Sequence, residues 1–237
     1  MVIIRQRFEQ QLNDLRTDVI KMGSMVEEEL TTALAALEDM DVDRARAVFV
    51  ADTGVNALRF DLEEQCFSLI VTQQPAARDL RAIVSVMNMI VDLERMGDQA
   101  KGIAKIVPHL ARRPQVPRPP ELRQMGDLVI RMLNQTMDAY AQSDADLALQ
   151  VAKQDDEVDA LYSQVFTQIM LQMARTDSAD LIEANYELLR AARELERFGD
   201  LATNVAERVI YMVTGRFQEI NVDRSEVMAV PSSGMEL

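Results

Sequence analysis

Leu93-Glu94-Arg95-Met96-Gly97-Asp98-Gln99-Ala100 and Leu195-Glu196-Arg197-Phe198-Gly199-Asp200-Leu201-Ala202 share six of eight residues at a separation of 102. A chain that restates itself at this spacing is expected to fold as two copies of one unit, each about a hundred residues and so the size of a small domain. The repeat reaches upstream as well. Asp52-Thr53-Gly54-Val55-Asn56-Ala57-Leu58 aligns with Asp155-Asp156-Glu157-Val158-Asp159-Ala160-Leu161, and Asp41-Val42-Asp43 with Asp144-Ala145-Asp146, both at an offset of 103. One residue gained or lost in an intervening turn accounts for the slip.

Both copies read as helical. Ala, Leu, Met, Glu, Arg and Gln dominate, Gly numbers 8 and Pro 7 in 237 residues, and strand-like alternation is absent. Apolar periodicity predicts six long helices, three per repeat, at 4–40, 43–73, 77–111, 120–143, 145–175 and 178–217. Asp41 and Asp43 can cap the second, Gln74-Pro75 stops a helix before the third, and Thr176-Asp177-Ser178 offers oxygens to the sixth. Arg113-Pro114-Gln115-Val116-Pro117-Arg118-Pro119-Pro120 cannot continue a helix. The expected organisation is all-α: a first three-helix bundle at 1–112, a Pro-rich linker at 113–119, a second three-helix bundle at 120–217, and a mobile tail at 218–237.

The duplicated motif carries a Glu and an Asp four residues apart, which places two carboxylates on one helix face. At about 100° per residue, Leu80, Ile83, Met87, Ile90 and Val91 fall within about 60° of Glu94, with Asp98 close beside it. Ile182 and Leu189 line up in the same way with Glu196 and Asp200, and Phe166, Ile169 and Met173 with Asp155 and Asp159. Carboxylates that border an apolar stripe repel each other and resist losing water, so they require pairing, a cation or a shifted pKa. Facing pairs from two helices would gather four carboxylates, a donor set suited to Mg, Mn, Fe or Zn. Bonding to Arg95, Arg197, Lys101 and Lys105 is the alternative. The mid-helix Gly97 and Gly199, each unfavourable by roughly 1 kcal/mol relative to Ala, imply a close approach by a neighbour at the motif.

With 39 acidic residues against 25 basic, the net charge is −14. A field of that sign disfavours nucleic acid and anionic membranes and favours cations or basic partner surfaces. No apolar run approaches the 18 or so residues that would insert in a membrane, and no leader pattern opens the chain, so a soluble cytoplasmic protein is expected. The single Cys66 cannot form an internal disulfide and reads as a small buried residue. No nucleophile triad or Gly-rich phosphate loop is visible, so no catalytic or organic-cofactor residues are assigned.

These residues resemble the PhoU family of phosphate-signalling regulators. Gln73-Gln74-Pro75-Ala76-Ala77-Arg78-Asp79-Leu80-Arg81 followed by Leu93-Glu94-Arg95-Met96-Gly97-Asp98 is similar to the signature of that family's first repeat. Leu195 to Glu207 is similar to that of its second. The resemblance spans about residues 5–217. It implies two antiparallel three-helix bundles, frequent homodimers, and metal clusters held by paired Glu/Asp-x-x-x-Asp motifs. It further implies a non-enzymatic negative regulator of phosphate-starvation signalling, acting between the ATPase subunit of the phosphate ABC importer and a membrane sensor histidine kinase. Carried over by position, the metal residues are Asp52, Glu94 and Asp98 in the first repeat and Asp155, Asp159, Glu196 and Asp200 in the second.

The first repeat departs from the pattern. Asn56 stands where a second acid is expected, Gly102 where the second repeat keeps Asn204, and Lys105 where it has Glu207. Lys101, three residues after Asp98, can supply a positive charge without any metal, and the same holds for Lys105. Tighter metal binding is therefore expected at the second repeat. Two further readings remain open from sequence, a carboxylate-bridged di-metal oxidoreductase and a metal-free helical scaffold. The former usually employs Glu-x-x-His pairs, and the only histidine, His109, belongs to none.

Overall fold

A computed structural model describes residues 2–113 and 116–216, with side chains from residue 6 onward. The expected tail at 218–237 and linker residues 114 and 115 lie outside the described residues. The elements are α1 (Val2–Asp39), α2 (Val42–Gln73), α3 (Ala77–Leu110), α4 (Pro120–Gln142), α5 (Ala145–Ala152), α6 (Asp155–Met173) and α7 (Ala179–Thr214). The first repeat is α1, α2 and α3. The second repeats them as α4, the α5–α6 rod and α7, so the six expected rods are present and the fifth is interrupted.

That interruption has a local cause. The first repeat runs unbroken from Val42 to Gln73, whereas the second turns at Lys153 and Gln154. There the Gln154 N–H bonds the Val151 carbonyl and the Glu157 N–H bonds Gln154, a three-residue spacing tighter than the α-helical four. Asp155, Asp156 and Glu157 follow at once, an acidic first turn that suits a fresh helix N-terminus. Gln154 also donates from Nε2 to Gln135 Oε1 of α4 at 2.7 Å, which ties the corner down.

The duplication is reproduced atom by atom at the other end of these helices. Asp41 Oδ1 accepts from Asp43 N and Arg44 N at 3.0 and 2.9 Å, and Asp144 Oδ1 accepts from Asp146 N and Leu147 N, both at 3.0 Å. Just before each cap, Met40 (φ 56°) and Ser143 (φ 55°) occupy the left-handed region, and the following N–H reaches back to Ala36 O or Ala139 O. A left-handed residue that closes the helix in this way satisfies the last free carbonyls. Gln74 (φ 45°) ends α2 in the left-handed region, immediately before Pro75. The expected cap at Thr176-Asp177-Ser178 differs: Thr176 Oγ1 accepts from the Ser178 N–H inside the turn, and no side chain caps α7.

Each helix buries one stripe. On α1 it is Leu15, Val19, Met22, Val26, Leu30, Ala33 and Leu37, spaced three or four apart. The most extensive packing joins the repeats: α3 lies against α7, supported by α1 against α4. The α3–α7 pair is antiparallel, since Arg81 at the start of α3 donates to Met212 O near the end of α7, while Arg113 past the end of α3 pairs with Asp180 and Glu183. The α1–α4 contact is two-fold. Gly23 receives the Met137 side chain and Gly126 receives Leu34, each glycine and each side chain being 103 residues from its counterpart. The two bundles thus pack through a self-complementary surface, the geometry of a symmetric dimer within one chain.

Candidate metal centre and its two unequal copies

In the first repeat Asp52 of α2 lies over Gly97 of α3. A Cβ at 97 would stand 3.0 Å from Glu29 Oε2, 3.7 Å from Val55 and 3.8 Å from Asp52 Oδ1, so glycine is what admits these carboxylates to the helix crossing. Lys101, one turn beyond Gly97, reaches back with Nζ 2.7 Å from Asp52 Oδ2 and 2.7 Å from Asp98 Oδ1. Asn56 donates to the same Asp52 oxygen at 3.0 Å. Asp52 is buried, and the ammonium supplies its charge balance. Burial works against a charged lysine, but the hydrogen bonds to Asp52 and Asp98 outweigh it and hold the Lys101 pKa above its ordinary value. Glu94 is held above the usual carboxylate range by partial burial and then by Asp98, against the opposing pull of Arg59.

Glu29 of α1 belongs to this cluster and was not anticipated. It is 1% exposed, and neither carboxylate oxygen has a hydrogen-bond partner. Burial, followed by the proximity of Asp52, pushes its pKa up to about 8, so it is protonated at neutral pH. Its signal was present in the sequence: Glu29 falls between Val26 and Ala33 at helical spacing, on the buried stripe of α1.

In the second repeat Asp155 is 2% exposed and lies over Gly199, where a Cβ would be 3.3 Å from Val158 and 3.5 Å from Asp155 Oδ1. The helix crossing is thus the same. The charges are not. Thr203 takes the place of Lys101, with its buried Oγ1 lacking a hydrogen-bond partner, Met132 takes that of Glu29, and Asp159 that of Asn56. Glu196 is raised above the usual carboxylate range by burial and then by Asp200, with Asp159 adding to it. Asp200 is raised by burial and then by Asp159. Arg193 and Arg197 offset part of this. Asp159 acts on both Glu196 and Asp200, and Asp200 on Glu196, so these acids share one patch of field.

The expected residues therefore divide. Asp52 and Asp98 are joined through Lys101 with Glu94 alongside, whereas Asp159, Glu196 and Asp200 act on one another directly with Asp155 at the crossing. Among the described residues, no three or more His, Cys, Asp or Glu side chains converge where they could hold a metal ion. The first cluster does not suit one, because an ammonium already bridges two of its carboxylates. The second is an all-oxygen set without that lysine, and its chemistry suits a hard cation. Lys105 does not serve the first cluster as expected. Its charge acts, behind those of Arg197 and Arg190, on Glu194 of α7, whose burial-raised pKa it helps to lower. His109 is exposed at the end of α3, and Cys66 is buried with its thiol pushed up to about 12 by burial. Within the described residues no helix is long and apolar enough to cross a membrane.

The PhoU domain family matches the chain twice, over residues 19–107 and 122–209. The chain belongs to the PhoU family. The phosphate-specific transport system accessory protein PhoU homolog of Pseudomonas aeruginosa is 38% identical over 213 residues, covering 90% of this chain and 87% of that protein. The accessory protein PhoU of Escherichia coli K12 is 33% identical over 221 residues, covering 93% and 91%. Among solved structures, PhoU from Pseudomonas aeruginosa superposes with a TM-score of 0.84 at 37% identity, covering 88% of this chain and all of that one. The phosphate transport system regulatory protein PhoU from Streptococcus pneumoniae gives 0.83 at 31%, covering 90% and all. The matched boundaries, 19 with 122, reproduce the 103-residue offset read from the sequence.

Proposed function

We propose that this PhoU-family protein regulates phosphate uptake and phosphate-starvation signalling by binding rather than catalysis. It is an adaptor between the ATPase subunit of a phosphate ABC importer and a membrane sensor histidine kinase, and it restrains the kinase when phosphate is sufficient. The observation that carries this reading is coverage: both PhoU domains are matched, and relatives named for phosphate-specific transport align over about nine-tenths of their length and of this chain. The long helical rods supply the contact surface such a role demands.

Metal enters the proposal at the second repeat only. Asp155, Asp159, Glu196 and Asp200 are the residues that would hold it, and Asp155 lies over Gly199 at the helix crossing. Burial, and after it carboxylate repulsion, holds Glu196 and Asp200 above their ordinary range, and a bound divalent cation would relieve the repulsion. In the first repeat Lys101 performs that neutralisation from within the chain.

Capture by immobilised importer ATPase subunit, and separately by the cytoplasmic part of the kinase, tests the adaptor role. Saturable capture of the purified protein by at least one of them is expected. Failure with both, in the presence of Mn or Zn, overturns the reading.

A further inference from the structure

The outward face of α2 carries Phe49, Phe60, Phe67 and Val71, spaced 11, 7 and 4 residues apart. These spacings return to nearly the same direction on a helix, opposite the buried residues Ala45, Val48, Val55, Leu62, Cys66 and Leu69. Phe60 is 61% exposed and Phe67 56%. Four large apolar side chains thus form an unpartnered stripe about 33 Å long. Scattered apolar residues on a surface need no explanation, but an aligned row does.

Acid flanks the row on the side of α1. A groove of about 530 Å³ runs there, lined by Gln11 and Asp14 of α1 and by Asp61, Glu64, Gln65 and Ser68 of α2. On the other side Arg59 is paired with Glu63 at 3.5 Å, and its guanidinium lies 4.9 Å from the Phe60 ring centre, so it is already engaged within the protein. The second repeat provides an internal control. At the 103-residue offset Phe60 becomes Ser163, Val71 becomes Ala174, Asp61 becomes Gln164 and Glu64 becomes Thr167. The two acids of α2 are lost, and of the row only the Phe67 position stays apolar and exposed, as Met170. Neither is therefore a requirement of the three-helix fold.

We propose that this α2 face of the first repeat docks an amphipathic helix of a protein partner, one with Lys or Arg along the edge of its apolar side. The apolar side covers Phe60, Phe67 and Val71, and the basic edge lies in the groove against Asp14, Asp61 and Glu64. Helix-in-groove recognition of this kind takes affinity from apolar anchors and orientation from the flanking charges. About 20 residues of partner helix match the length of the row. The inference rests on the adaptor reading only for the partner's identity.

Fluorescence anisotropy tests it with the full chain and a labelled peptide of about 18 residues, with leucines at helical spacing on one face and lysines beside them. Saturable binding is expected, weakened roughly tenfold by Phe60→Ser with Phe67→Ser. Asp61→Asn with Glu64→Gln should weaken it about threefold and reduce its salt dependence. Phe166→Ser with Met170→Ser in the second repeat should leave it unchanged. No binding, equal loss in the second-repeat variant, or equal binding of a peptide with glutamates in place of lysines overturns the proposal. So does sedimentation showing that Phe60→Ser with Phe67→Ser splits a homodimer, because the face would then belong to a second copy. The two readings separate cleanly. Peptide binding at this face without capture by ATPase or kinase supports the surface and removes the adaptor role, whereas capture that is indifferent to Phe60→Ser with Phe67→Ser keeps the adaptor and overturns the surface.

Discussion

At the α2–α3 crossing of the first repeat and the α6–α7 crossing of the second, an aspartate lies over a glycine in the same way, yet the two sites solve the problem of negative charge differently. Asp52 and Asp98 share a tethered ammonium, Lys101, and Glu29 beside them is held protonated. At the second crossing Thr203 and Met132 stand in those two places, and Asp159, Glu196 and Asp200 press on one another. The backbone therefore fixes where carboxylates gather, and one or two neighbouring side chains decide whether an ammonium from within the chain bridges them. Duplication gave both copies the frame, and substitution around it made them unequal.

The largest effect that can break this comparison concerns Glu29. Its carboxyl binds a proton more tightly folded than unfolded, with a pKa raised from 4.5 to about 8. Unfolding therefore releases a proton between those values, and stability falls as pH rises through that window. Glu29→Met copies the second repeat and removes the slope. Relative to the wild type, the variant should gain on the order of 4 kcal/mol between pH 4.5 and pH 9 in urea unfolding. Parallel stability curves would show that Glu29 is not held in its neutral form.

Next comes the ammonium. Lys101→Met strands Asp52 in a buried place, and breaking such a pair from one side costs roughly 3 kcal/mol. Thr203→Val at the equivalent position removes a hydroxyl that has no partner, and should change stability by less than about 1 kcal/mol. Equal losses at 101 and 203 would erase the distinction between the crossings.

A cation should produce a somewhat smaller change that depends on the repeat. With Mn or Zn at about a hundred times its dissociation constant, linkage gives a stabilisation of about 2.7 kcal/mol, readable as a rise in Tm. Glu196→Gln with Asp200→Asn should abolish the rise, and Glu94→Gln with Asp98→Asn should leave it. The smallest effect concerns what the repeats hold in common. Asp41→Ala and Asp144→Ala each remove a cap with the same two hydrogen bonds, and each should cost about 1 kcal/mol. A clear disparity between them would show that the frame itself differs.

Much of the frame was legible in the sequence because it is written in local, duplicated signals. The Asp caps, the Gln-Pro break and the repeated Leu-Glu-Arg-x-Gly-Asp run each act within a few residues. The break at Lys153 and Gln154 was also locally encoded, but as an acidic helix start inside an otherwise continuous apolar period, and the period masked it. The outcome at Thr176 to Ser178 was harder, since the hydroxyl could serve either the turn or the helix and the turn took it. Side-chain partners across helices were less accessible. Lys101 and Lys105 lie on one helix one turn apart, and only the packing of α3 against α7 brings the Lys105 charge to bear on Glu194. Glu29 is distant in sequence from the residues it touches, although its place on the buried stripe of α1 marked it. The acids expected to continue the apolar stripe of α3 stand at its edge, where Leu80 and Val91 are themselves partly exposed.

Anomalous diffraction from crystals grown without chelator and soaked in Mn most directly tests whether the second crossing calls for a cation that the first already carries. A peak is expected among Asp155, Asp159, Glu196 and Asp200, and none among Asp52, Glu94 and Asp98. Peaks of comparable height at both crossings, or a peak at the first alone, would contradict it.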